Sequence, residues 1–457
     1  MRALAWWLAA CALGLALVGS LAAAGPEVNV SRLPGLQTTA TIAIHPTDGR
    51  ILLAGSNSIL EGTMRAYGST DGGVTWRTTM AHRRPASVRA SCSSDPGVAI
   101  DRRGQQYYSF VRATPCTSEG KFRVYVVSRS GPDAGWSTPV AVAPSPHARL
   151  DDKPAIAVDT SPVSRFRNRV YVAWSRVTRN AKFSIVLSHS NDRGRTWSQP
   201  VKVNRIGREL TFASIGIARD GSVYVAWDDV SNFGIYIARS TDGGAHFGRQ
   251  RKLASFVAVS IPRCGSGIVI PAQLRSCIQA NPIVAVDTSG GRYSGRVYVS
   301  YGRTEFRGLQ AAHVAVFDRT LHPLLPDPST REGRPVAPTP GGQVSDQFWA
   351  QSAVDATDGT VWVCFYDTLG DPQRRKTHFT CTSSQDGGQT WASPVQAATV
   401  ASDATQPGAA NHYGYYQGLA VGNGVAHPMW TDTRDLDELG EEIYTTTLTL
   451  ADFKRSG

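Results

Sequence analysis

An eight-residue pattern, Ser-x-Asp-x-Gly-x-Thr/His-aromatic, occurs four times in the chain: Ser69 to Trp76, Ser190 to Trp197, Ser240 to Phe247 and Ser384 to Trp391. Each copy has the chemistry of a hairpin turn. The Asp carboxylate accepts backbone N–H bonds within the loop, the Gly supplies a positive φ, and the aromatic residue anchors the returning strand. These conformational needs account for every constrained position, so the copies read as scaffold and not as catalytic groups. A turn that keeps returning demands a repeat architecture.

A second repeat sits around the turns: a short strand ending near an Asp, a Val-Tyr-Val-Ala-Trp type strand, and a third alternating strand that leads into the turn. The first strands are expected at Thr39 to His45, Gly97 to Asp101, Pro154 to Asp159, Ala213 to Ala218, Pro282 to Asp287, Gln351 to Asp355 and Gln417 to Gly422. Repetition every sixty residues or so predicts an all-β fold, a seven-bladed β-propeller with the turns on the bottom face. Two units carry eroded turns, at Ser130 to Trp136 and at Phe317-Asp318-Arg319. The seventh has three strands before the chain ends, which makes Glu27 to Arg32 the expected donor of its fourth, closing the last blade. Insertions at Val257 to Ala280 and Leu321 to Val344 fall between blades, and the Pro-rich second one reads as a flexible loop.

Arg2 followed by the apolar run Leu4 to Leu21 and Leu21-Ala-Ala-Ala24 reads as an export signal over residues 1–24, with a single propeller domain over 25–457. A retained membrane anchor is the competing reading of that run. Six cysteines remain after Cys11 leaves with the signal, and an even number in an exported chain favours disulfides. Closeness in sequence pairs Cys92 with Cys116, Cys264 with Cys277 and Cys364 with Cys381; free buried thiols are the alternative. The formal net charge of +11 fits acidic partners or a scattered solubilising surface, and with no basic run of five or more nucleic acid is not implied. The expected setting is a secreted monomer, off the membrane once the signal is removed.

The repeated Ser-x-Asp-x-Gly turn is the Asp box, and on it the chain resembles the Asp-box (BNR) repeat propellers whose best known members are sialidases. The resemblance covers almost the whole mature chain as a scaffold and implies a glycan-directed, sialidase-like glycoside hydrolase or lyase. Sialidases are six-bladed, clamp the substrate with three arginines and use a Tyr nucleophile, a Glu partner and an Asp acid/base. One of their arginines comes from a Phe/Tyr-Arg-Ile-Pro stretch, whereas the first unit here reads Thr41-Ile-Ala-Ile-His45. No catalytic residue carries over from the family.

With the boxes at the bottom, a central site lies at the top, reached by the segments between units and by the ends of the second strands. Two polar stretches there exceed what a scaffold needs: Arg149-Leu-Asp-Asp-Lys-Pro154 and His412-Tyr-Gly-Tyr-Tyr-Gln417, the latter joined by Trp430-Thr-Asp-Thr-Arg434. Acids, arginines and tyrosines around a funnel suit an extracellular glycan or glycoconjugate. A glycosidase needs a carboxylate pair, for which Asp152 with Glu209 or Asp432 are the candidates, and Tyr416 is a candidate nucleophile. Arg149, Lys153, Trp349, Tyr413, Gln417 and Arg434 are the candidate substrate-binding groups. No cofactor is required, although Asp228, Asp367 and Asp432 at equivalent places could ring a Ca²⁺. A non-catalytic propeller that binds a glycan or protein on the same face is the reading from a different class.

Overall fold

Short strands joined by tight turns pair with their sequence neighbours first, so each unit closes on itself as a meander. The computed structural model describes residues 25–79, 91–256, 259–261, 265–305, 308–330, 332–341, 343–410 and 412–454. The apolar leader and Cys264 lie outside them. Cys92–Ile100, Gln106–Thr114, Lys121–Arg129 and Val140–Ala141 form a four-stranded antiparallel sheet. Four more of the same order begin at Ala148–Val158, Leu210–Ile217, Ile283–Val286 and Gln347–Val354. A nine-stranded sheet joins the first meander, from Gly35–His45 to Arg77–Thr79, to the last, Gly418–Gly422, Val425–Asp432 and Gly440–Thr445. A short parallel pairing, Gly35 with Gly440 and Leu36 with Glu441, connects these halves.

The N-terminal segment lies on the last meander. Val28 pairs with Thr445 and Asn29 with Tyr444, and Val30 N–H donates to Ile443 O at 2.7 Å. The insertion after the fourth sheet forms its own three-stranded sheet, Val259–Ile261, Gly265–Ile270 and Gln273–Ile278. The Pro-rich segment expected to be a flexible loop instead holds Arg334–Pro335, the fourth strand of the fifth sheet. Its pairing with His313 and Val314 gives it a fixed place.

The second strands are buried on both faces because sheets pack against them from either side. Val223–Asp229 and Val361–Asp367 are buried throughout, and Trp174, Trp227, Trp362 and Trp430 are among the largest fully buried side chains. Each first strand packs against the first strand of the next meander, and Gly418–Gly422 packs against Gly35–His45, which returns the series to its start. One cavity of about 530 Å³ takes a lining residue from every one of these strands: Ala43, Val98, Ile156, Ile217, Val286, Val354 and Val421. It opens on the end that carries the hairpins between first and second strands.

The four repeated turns share one bonding pattern. Ser384 Oγ donates to Asp386 Oδ1 at 2.8 Å and accepts from Gly388 N–H at 2.8 Å, while Thr390 Oγ1 donates to Asp386 Oδ2 at 2.6 Å. Ser69, Ser190 and Ser240 head the same arrangement, with His246 replacing Thr in the last. Gly387 and Gly388 sit at φ 73° and 88°, where a side chain would be strained. Disulfides join Cys92 to Cys116 and Cys364 to Cys381. Cys277 is also disulfide-bonded. No helix among the described residues is long and apolar enough to cross a membrane.

Candidate functional site

The first strands are longer than their alternation predicts, and the extra length defines the site. Pairing breaks between Thr38 and Thr41, Ser94 and Gly97, Asp152 and Ala155, Thr211 and Ser214, and Phe348 and Gln351, then resumes on the far side. Inside each break one residue other than Gly adopts a left-handed backbone: Thr39, Asp95, Lys153, Phe212 and Trp349, at φ between 51° and 60°. Asn281 does the same at φ 46° just ahead of Ile283–Val286. Each such residue costs on the order of 1 kcal/mol, and such strain concentrates at functional sites. These bulges turn one side chain per strand toward its neighbours at the end opposite the repeated turns.

The side chains meet one another there. Lys153 Nζ bonds Asp95 Oδ1 at 2.8 Å and lies 4.0 Å from the ring centroid of Tyr415 and 5.8 Å from that of Phe212. Phe212 in turn packs on Trp349 and Tyr415. Asn281 Nδ2 donates to Tyr415 O at 3.2 Å, and Tyr416 hydroxyl donates to Pro96 O at 3.0 Å. The Tyr415-Tyr416 segment reaches this position because Gly414, at φ 83°, lies so close to Thr39 that a Cβ would collide with its backbone. A glycine is required there.

Asp152 and Asp95 form a carboxyl pair. Burial raises the Asp152 pKa above the usual carboxylate range, Lys153 opposes the shift, and both the charge of Asp95 and a hydrogen bond to it add to it. Out of water and close to a second carboxyl, the Asp152 side chain holds its proton more tightly than a free carboxyl does. Burial alone would lower the Lys153 pKa, but Asp152 and Asp95 together raise it, so the ammonium stays charged. Burial, with Asp95, Tyr108 and Asp152 nearby, holds the Tyr416 phenol well above its usual value. Asp95 Oδ2 accepts from Ser94 Oγ at 2.8 Å and its N–H donates to Asn57 Oδ1 at 3.0 Å.

Of the residues expected from the sequence, the structure gathers Asp152, Lys153 and Tyr416 into this cluster. Trp349 is a buried wall, its indole N–H donating to Gln273 at 3.2 Å. Tyr413 is fully buried, its hydroxyl bonded to Ser402 O at 2.9 Å. Gln417 bridges Tyr413 O and Thr431 N–H. Asp432 accepts from Trp430 Nε1 at 2.8 Å and from Arg434 at 2.7 Å, and Arg434 also meets Glu27 of the N-terminal segment. Arg149 and Glu209 are exposed, the Glu209 carbonyl accepting Val230 N–H at 2.9 Å. Asp95, Phe212 and Tyr415 complete the cluster. The available signal was positional: each of these six left-handed residues at the strand breaks is followed by Ala or Pro, namely Ala40, Pro96, Pro154, Ala213, Pro282 and Ala350.

The three acids that could ring a cation do not converge. Asp228 accepts Asn281 N–H at 3.0 Å, Asp367 is bonded to Ser345 and Gln347, and Asp432 is held as described. Among the described residues no three His, Cys, Asp or Glu side chains gather in a metal-sized group.

Asp228 and Glu441 make a prediction about pH. Burial pushes each up to about 8, against one backbone N–H bond apiece. A carboxyl whose folded pKa is raised stabilises the fold fully below its unfolded pKa, and that stability is lost as pH rises through the folded value. The thermal midpoint is therefore expected to fall between about pH 4 and pH 8, and Asp228→Asn should flatten part of this slope in thermal melts. A wild-type midpoint that rises across that window contradicts the assignment.

No family model and no curated protein matches the chain. Among solved structures it is similar to a Dyadobacter fermentans protein of unknown function at 16% identity, covering 78% of this chain and 96% of that one, with TM-score 0.51. A polysaccharide lyase, an ulvan lyase bound to a unit of glucuronic acid and sulfated rhamnose, matches at 11% identity over 94% and 99% of the two chains, TM-score 0.52. A Hadza microbial sialidase matches at 15% identity over 88% and 74%, TM-score 0.46. The first two show a shared fold of β-propeller type, and the third adds no argument.

Proposed function

We propose that this chain is an exported, monomeric, seven-bladed Asp-box propeller that acts on an extracellular acidic glycan through the cluster of Asp95, Asp152, Lys153, Tyr415 and Tyr416. The observation that carries this reading is the buried ion pair of Lys153 with Asp95 at 2.8 Å, next to Asp152, held by strained backbone at both Asp95 and Lys153. Asp152 serves as the proton-transfer group, Tyr416 flanks it, and the Tyr415 ring holds the Lys153 ammonium over its face. A glycosidase needs two carboxylates roughly 5 Å or more apart across the scissile bond, and the carboxyl of Asp95 is already held by the Lys153 ammonium, which fits proton transfer of the lyase type better than hydrolysis. The upper arginines Arg176, Arg374 and Arg434 are each paired with an Asp, which leaves them poorly suited to a sialidase-like clamp. The fold shared with an ulvan lyase supports an acidic substrate by analogy only.

One observation favours binding without catalysis: half-buried Tyr415 packs on Phe212, which packs on Trp349, an aromatic layer beside the polar groups of the cluster. A screen of the purified protein against uronate-containing, sulfated and neutral polysaccharides, read by product formation and by binding, separates the two. Product formation by wild type that Asp152→Asn abolishes supports the enzyme. Binding without product supports recognition alone, and neither with any glycan sinks both.

A further inference from the structure

The repeated turn of the fourth meander borders an open groove of about 870 Å³, lined by Arg239, Arg249, Arg251, Lys252, Phe247 and Thr320 among others. It lies apart from the Asp95–Asp152 cluster, beside the turns on the other end of the fold. Arg249, Arg251, Lys252 and His246 are exposed, and Asp242, already bonded within its turn to Ser240 and His246, is the one carboxylate in the lining. The groove is cationic.

Its cations are mounted on a fixed frame. Buried Gln250 accepts the N–H groups of Arg205 and Ile206 at 2.6 Å and 3.1 Å, which pins the strand between Arg249 and Arg251. Arg251 Nη1 donates to Leu321 O at 3.2 Å, and Arg239 Nη2 donates to Ser222 Oγ at 2.9 Å. The Arg239 Nε is buried with no partner among the described residues. Opposite them, the eroded fifth turn contributes Thr320 and Leu321, and Tyr224 hydroxyl fixes that turn through Arg319 O at 2.7 Å.

We infer that this groove is a second binding site, for a sulfated or carboxylated polysaccharide chain. Three exposed cations along an open trough, Arg249, Arg251 and Lys252, with Arg239 behind them paired to Asp220 at 3.7 Å, suit a polymer that presents repeated negative charges, and half-buried Phe247 lines the same trough. Disulfide-bonded proteins work in oxidising compartments outside the cytosol, where acidic polysaccharides are the abundant polyanions. A single aromatic is a poor platform for nucleic acid, which stacks successive bases on several. The site goes beyond the reading of the Asp95–Asp152 cluster and does not depend on it.

The alternative for these charges is protection of an outer strand against edge pairing, and the test separates the two. Binding to dextran sulfate and to polygalacturonate is measured by titration at fixed ionic strength for the wild type and for two variants of equal charge loss, Arg249→Ala/Lys252→Ala in the groove and Arg375→Ala/Lys376→Ala elsewhere. The groove variant should bind about tenfold more weakly, with the second variant close to wild type and both melting as wild type does. Equal weakening in both variants, an unchanged groove variant or absence of wild-type binding overturns the proposal. Tighter binding of duplex DNA than of either polysaccharide at the same salt overturns its ligand class. A groove variant that loses polymer binding while still forming product from a glycan cleaved by wild type would place the failure in the groove, and one that loses product with polymer binding intact would place it at the Asp95–Asp152 cluster.

Discussion

Asp151→Ala should destabilise the protein by about 3–5 kcal/mol, the usual cost of breaking a buried ion pair from one side. Asp151 accepts from Arg176 Nε at 2.7 Å and Nη2 at 3.1 Å and from Trp174 Nε1 at 2.9 Å. The side chains of the pair are 1% and 9% exposed, so water cannot replace the lost carboxylate. Removing it leaves a guanidinium and an indole N–H without their acceptor. Urea denaturation followed by tryptophan fluorescence measures the effect, and a shift under 1 kcal/mol would show that water or Ala143 O, already bonded to Arg176, is enough to hold the guanidinium.

The adjacent substitution should do the opposite. Asp152→Asn keeps the shape of the side chain and leaves the Lys153 bond to Asp95 in place, so the melting temperature should stay near that of wild type. Activity on the glycan should fall by about 10²–10⁴-fold, the range for loss of a positioned proton-transfer group. An amide can donate to Asp95 but cannot pass a proton on. Because the Asp152 pKa is raised, a step that needs its proton should persist above the ordinary carboxylate range and decline as pH rises through the folded value. Rate against pH for wild type should show that descending limb. A variant that loses stability and activity together would make Asp152 a structural peg like its neighbour.

The contrast between these two residues explains what was legible in the sequence. The turns and the second strands were readable because their signals are local: Gly at positive φ, Asp and Ser spaced to bond each other, and apolar alternation. The bulges were not, because Thr39, Asp95, Lys153, Phe212, Asn281 and Trp349 give no glycine signal for a left-handed backbone. Expected strands therefore stopped at the break. Partners were hidden for a related reason. That Arg434 bonds Glu27 and Asp432, or that Asp95 and not Glu209 stands beside Asp152, depends on contacts distant along the chain, which spacing cannot supply. Polar residues at the upper end thus divided into pegs and cluster only once their partners were known.

The pairing of Val28–Asn29 with the last meander has a bearing on synthesis. Ser31 and Glu442, joined by a hydrogen bond, are 411 positions apart, so the strand around Val28–Asn29 must wait for nearly all the rest of the chain before its edge is covered. Loop closure of that span adds little to the equilibrium cost, but contacts so remote tend to slow folding. A chain still being synthesised would hold an unlatched strand until its last meander emerged, and a chaperone that shields short β-segments is the helper such a design would use.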